Sequence, residues 1–429
     1  MNYIMTKLSP FLFGALLVLS SCNQPDSRKV GSEDDQDPNP SMNNPDKQAW
    51  QLFVEVNKPA DSNRPGRSAV WETWALAKDV YNDPNKKPIW DSVTNVSKTP
   101  RDFDRLPLQQ LMRLDEGLES ESDSLARSRP KAGLDVFFIP TDLLADSTTD
   151  ETRMNKVVFD YVANNDLYYV EGQEAFFNQS KVVDLPIQAK EVKAQWRRIG
   201  VADTGIYHYN SISVYDSVSH KTEVQYWGLV SMHIISKDIP QWTWATFEHE
   251  RNPGLPKAES DPNSYLHSRD SFGRKDGRIS QELSKLLADR HMPGKWSHYL
   301  LRGTQTGYIT FEGRHTLLAN TYIEEGFTTT SSCITCHSKA TIGRKLDFQE
   351  LPQPVQNAIR IGTSKRAPNF ANRLSIFKVT NSDTTIADNG IPSLEWYFDD
   401  KGIRRYIQTD FMWSFFRAKR RMPYTVPNI

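Results

Sequence analysis

Cysteine is almost absent, with three in 429 residues, so a disulfide framework of the kind that staples small secreted domains is excluded. Long apolar runs are missing too. The mean hydropathy is -0.60 and no stretch of about 18 apolar residues occurs, which excludes a polytopic membrane protein. Basic excess is lacking: Lys+Arg 52 against Asp+Glu 53 leaves a formal charge of -1, which argues against nucleic acid as a partner. Internal repeats are not visible, and no low-complexity block follows residue 47.

What is present suffices for a sizeable core, since 38% of the residues are apolar and 11% aromatic. Residues 1–21 carry one charge, Lys7, followed by the apolar stretch Phe11 to Leu19, the length of a signal h-region and too short to span a bilayer comfortably. The stretch ends in Leu19-Ser20-Ser21-Cys22, which resembles the lipobox of bacterial lipoproteins. Cleavage before Cys22 and acylation of its thiol would hold the protein at a membrane surface without spanning it. Loss of Lys7 leaves 51 basic against 53 acidic side chains, or -2. Residues 22–47, rich in Asn, Asp, Pro and Ser and carrying Glu33-Asp34-Asp35-Gln36-Asp37, predict a disordered acidic tether. Asn23 stands where an inner-membrane lipoprotein often has aspartate, so the expected place is the cell envelope, at the outer membrane, on its periplasmic or surface face.

Residues 48–325 read as a β-rich α+β body. Strand signals lie at Gly133 to Pro140, at Lys156 to Val162, and at Ser211 to Ser217, with a hairpin turn at His220-Lys221 and a second strand over Val224 to Val230. Helical period appears over Arg105 to Leu114 and over Ser280 to Asp289. The tryptophans of Val70-Trp71-Glu72-Thr73-Trp74 and Trp242-Thr243-Trp244 are expected in the core. Residues 326–429 read as a largely helical region built around the other two cysteines, which bind a cofactor.

That last expectation rests on Ser331-Ser332-Cys333-Ile334-Thr335-Cys336-His337, the C-x-x-C-H pattern of covalent c-type haem attachment. On a helical turn Cys333 and Cys336 face one side, so both thiols reach the two vinyl groups of one porphyrin, and His337 projects as the proximal iron ligand. Ser331 and Ser332 are placed to cap that turn through its free N–H groups. A zinc site would need further thiols or imidazoles as a second close pair, and no cysteine is left to supply one. A thioredoxin-like dithiol would sit in a βαβ context that the surrounding residues do not show. One thiol for lipid and two for haem account for all three cysteines.

The stretch from Tyr299 to Ala340, with Leu301-Arg302-Gly303-Thr304-Gln305, Leu318-Ala319-Asn320, Glu324-Glu325-Gly326-Phe327 and the haem motif, resembles a group of bacterial single-haem cytochrome c-like proteins. Val70 to Trp74, Trp244 to His249 and Gln408-Thr409-Asp410-Phe411 are similar to that group as well. The resemblance implies one covalent haem c and names no substrate or partner.

The sixth iron ligand stays open among Met412, Met422-Pro423, a histidine of the body (His249, His298 or His315) and no protein ligand. A closed iron implies one-electron transfer to an envelope redox partner protein. An open one implies a haem enzyme of peroxidase type or a gas-binding sensor. The basic tail Arg404-Arg405, Arg417 and Lys419-Arg420-Arg421 reads as a solvated end, or as a partner for haem propionates or an acidic redox protein.

Overall fold

The computed structural model describes residues 37–61, 68–94, 148–216, 221–253, 264–266, 270–325, 327–344, 349, 356, 360, 377–379, 384–386 and 389–422. The signal sequence, Cys22, most of the tether, and the elements expected over Gly133 to Pro140 and Arg105 to Leu114 lie outside the described residues. Residues 39–429 form one compact unit.

A seven-stranded antiparallel sheet organises that unit. Its strands are β1 (Ala75–Leu76), β2 (Thr148–Met154), β3 (Lys190–Ile199), β4 (Tyr209–Asp216), β5 (Lys221–Ser236), β6 (Thr243–His249) and β7 (Tyr299–Gln305). The order is β1-β2-β3-β5-β6-β7, and β4 pairs with β5 in the hairpin read from the sequence. The 16-residue β5 carries β4 along Lys221 to Gly228 and β6 along Ser231 to Ser236.

Alternation divides the residues of these strands between two faces. Val192, Ala194 and Trp196 of β3 join Met232, Ile234, Ala245 and Phe247 in one apolar cluster. Helix α1 (Pro45–Asn57) covers it, burying Ala49, Trp50, Phe53 and Val56, with Pro45 opening the helix where no N–H is needed. The other face of β3 carries Glu191, Lys193 and Gln195, and the second apolar cluster, with Met154, Ile235 and Trp244, lies around it.

The described residues begin inside the expected tether. Pro40–Asn43 is already helical, and Asp46 of α1 is buried, accepting bonds from Ser271 Oγ at 2.6 Å and Thr304 Oγ1 at 2.9 Å. A second difference concerns Lys156 to Val162, read as a strand and found in helix α2 (Lys156–Asn164). Val158, Phe159, Val162 and Ala163 recur at helical spacing, and Asn155 caps the helix by accepting Val158 N–H at 3.2 Å; these outweigh the β propensity of the valines. Helix α3 (Val170–Asn178) follows. Helix α4 (Gln281–Asp289) forms where helical period was read, capped by Ser280 Oγ on Leu283 N–H.

The C-terminal region is not largely helical, contrary to expectation. Among its described residues α5 (Cys333–Ser338) is a helix of six residues, with two 3-10 turns at Leu394–Trp396 and Trp413–Arg417. Gln349, Gln356 and Arg360 are further single helical positions, and strands pair elsewhere: β8 (Thr341–Gly343) with β9 (Tyr406–Gln408), and Phe377–Val379 with Thr384–Ile386. Thr341, Ile342 and Ile407 are β-branched and meet across a ladder, and no apolar stripe of helical period extends α5.

Candidate haem-attachment site

The two motif thiols and the motif imidazole sit on α5, one face of which packs on the sheet. Cys333, Ile334, Phe411, Met412, Ile342 and Trp244 belong to the same apolar cluster. The serines do not cap the helix. Ser332 Oγ turns instead to Thr335 Oγ1 at 3.0 Å, and Ile334 N–H is met by the Gln305 carbonyl oxygen at 3.0 Å. The Gln305 amide nitrogen bonds Ser332 Oγ, Thr316 Oγ1 and Thr316 O, so the last residue of β7 fixes the start of the motif. At the other end Ser338 O accepts the Tyr397 hydroxyl at 2.7 Å and the Gln408 amide at 3.1 Å.

His337 is held from behind. Its Nδ1 lies 2.7 Å from Phe411 O, a carbonyl with no proton to give, so Nδ1 carries the hydrogen and Nε2 keeps the lone pair. Burial pushes the imidazole pKa down to about 3, so the ring is neutral, as a metal ligand must be. The ring lies 4.7 Å from that of Trp244.

The carbonyl that holds His337 comes from a strained turn. Asp410 and Phe411 adopt φ of 51° and 66°, a left-handed conformation costly for residues with a β-carbon. The Asp410 carboxylate is clamped by Trp242 Nε1 at 3.1 Å, Leu185 N–H at 2.7 Å and the Lys237 ammonium. Tryptophans and aspartate noticed apart in the sequence thus form one device: Trp242 locks the turn, and Trp244 touches the imidazole the turn orients.

Burial pushes the Cys336 thiol up to about 12 and Cys333 well above the ordinary thiol value. A redox dithiol needs the opposite, a depressed pKa in an accessible, electropositive setting. Both cysteines are free thiols. Among the described residues no three His, Cys, Asp or Glu side chains gather as ligands of one ion. Haem attachment makes neither demand: it asks for two sulfurs one helical turn apart and one neutral nitrogen, and Cys333, Cys336 and His337 fit it.

The other suggested ligands are placed unequally. Met412 is fully buried and follows the carbonyl that backs His337, with its own carbonyl accepting Thr409 Oγ1. Met422 is 69% exposed, its backbone N–H on Glu171 of α3. His249 lies on β6 one residue from Glu248, hence on the face away from Trp244 and the motif, stacked on Tyr207. His298 pairs with Glu250 at 2.7 Å, and the His315 ring packs against Gly390, where a β-carbon would stand 2.9 Å from it. The basic tail is not simply solvated: Arg420 pairs with Glu174, and Arg421 lies 3.4 Å from the Tyr169 ring centre.

One set of residues carried no signal in the sequence. The sheet face toward the motif is polar at its centre, with Glu191, Gln195, Ser231, Thr246 and Glu248 all buried. Burial pushes the Glu191 carboxyl up to about 7. Gln195 Oε1 and His233 Nδ1 are buried on this face without a hydrogen-bond partner among the described residues. Only strand register brings them together. No protein-family model, curated protein or solved structure matches the chain.

Proposed function

We propose that this protein is a single-haem c-type cytochrome of the kind it resembles, carrying out one-electron transfer in the bacterial cell envelope. Cys333 and Cys336 would hold the haem through thioethers and His337 through Nε2. The observation that carries the reading is the His337 hydrogen bond to Phe411 O, which leaves the outward nitrogen of a neutral imidazole for iron. The bound group would supply one-electron redox chemistry; the chain's own residues orient the imidazole through Phe411 O and bury the Cys333 thiol. Cleavage after Ser21 and acylation of Cys22 would anchor it at the outer membrane, within reach of a redox partner protein. No helix among the described residues is long and apolar enough to cross a membrane.

A second reading, a peroxidase-type enzyme or a ligand-binding sensor, is favoured by one observation: the polar, acid-bearing sheet face opposite the motif.

The test is expression of the full chain in a host that assembles haem c. The expected product is coloured, with a mass that exceeds peptide plus acyl groups by one haem, and Cys333→Ala with Cys336→Ala abolishes the gain. A colourless product of peptide-plus-acyl mass overturns the proposal.

A further inference from the structure

On the sheet face toward the motif, register sets Lys193, His233 and Thr246 in one row and Glu191, Ile235 and Trp244 in the next. His233 is therefore a diagonal neighbour of Trp244, whose ring touches His337. Its Nε2 lies 2.9 Å from Glu324 Oε1. The other oxygen of Glu324 accepts Asn320 N–H at 2.7 Å, and the Asn320 side chain is bonded to Thr246 Oγ1 and Phe247 O. The carboxylate is thus fixed to the sheet, and it takes the Nε2 hydrogen of His233. In the neutral ring that leaves a lone pair on Nδ1, which is buried and has no hydrogen-bond partner among the described residues.

Two imidazoles then share one pattern. Each has one nitrogen tied to an anchored oxygen, a carbonyl for His337 and a carboxylate for His233, and each keeps the other nitrogen unpaired. Metal-ligating histidines are held in this way. A buried, unmet lone pair is unfavourable unless something is bound there. Met412, by contrast, adjoins the carbonyl behind His337 and so stems from that ligand's own side. Resting on the cytochrome reading above, we propose that His233, oriented by Glu324, supplies the second axial nitrogen to the haem iron through Nδ1, with His337 as the first.

The experiment uses the haem-loaded full chain. Electron paramagnetic resonance and near-infrared spectra of the wild type should show a low-spin iron with two imidazoles and no thioether ligand, and the reduced protein should not take up carbon monoxide. His233→Gln and His233→Ala should become high-spin and bind carbon monoxide, and added imidazole should restore the low-spin spectrum. Glu324→Gln should stay low-spin with a raised reduction potential, because the ligand loses an anionic partner. A high-spin wild type, a thioether signature, loss of low-spin iron in Met412→Leu or Met422→Leu, or an unchanged low-spin spectrum in both His233 variants overturns the assignment. A haem-loaded protein with any of those results leaves the cytochrome reading standing; a colourless one removes both.

Discussion

Replacing Asp410 should destabilise the fold and loosen His337 together, because one carboxylate clamps the turn that supplies the imidazole's partner. In Asp410→Ala, Trp242 Nε1–H and Leu185 N–H lose their acceptor. Each buried donor left unmet costs about 1–3 kcal/mol. Lys237, whose side chain is 9% exposed, keeps only Asp184, whose side chain is 81% exposed. Breaking a buried pair from one side costs about 3–5 kcal/mol, and this figure already contains part of the donor loss, so the whole effect is about 4–6 kcal/mol. Asp410→Asn keeps the shape and one acceptor oxygen and should cost about 1–3 kcal/mol. Without the clamp only the bonds from Met412 N–H to Thr409 O and from Thr409 Oγ1 to Met412 O still close the turn at Asp410 and Phe411, and its relaxation moves the Phe411 carbonyl off His337 Nδ1. Urea unfolding of the haem-loaded chain should rank wild type above Asp410→Asn and Asp410→Ala last, with the reduction potential rising in the same order. Unfolding of Asp410→Ala within about 0.5 kcal/mol of wild type would refute the clamp, since ordinary surface changes fall in that range.

Gln305→Leu keeps the volume but strips the Ile334 N–H and Ser332 hydroxyl of a buried partner, and should cost about 2–4 kcal/mol by urea unfolding. Haem loading should drop with it, and loading and stability both equal to wild type would exclude Gln305 as the anchor of α5. His249 makes stability fall in acid: burial lowers its pKa from 6.5 to about 4, so between those values the unfolded chain takes a proton that the folded one refuses. The contribution is fully present above pH 6.5 and lost as pH falls through about 4, and His249→Gln should flatten the unfolding profile in that window.

The candidate motif was legible because it is local. Two thiols and an imidazole within five residues need only one turn of helix to face a common group, and that turn forms over Cys333–Ser338. The hairpin of β4 and β5 and helix α4 were legible for the same reason, being set by turn residues, a serine cap and short-range period. Local signals misled where two of them conflicted. The valines of α2 have β propensity, but Asn155 and the spacing of Val158, Phe159, Val162 and Ala163 prevail once that stripe has a core to meet. The serines before Cys333 suit a cap, but Gln305, 29 positions from Ile334, takes that place.

By itself, then, the sequence determined the motif, its spacing, the α+β class and the burial of Trp71, Trp242 and Trp244. What holds and faces the motif was decided by tertiary structure alone. Phe411 reaches His337 across 74 positions and Glu324 reaches His233 across 91, so no local pattern couples them. Their meeting depends on strand register, in which a shift of one residue would turn His233 and Lys193 to the other face and take the polar centre away from the C-x-x-C-H motif.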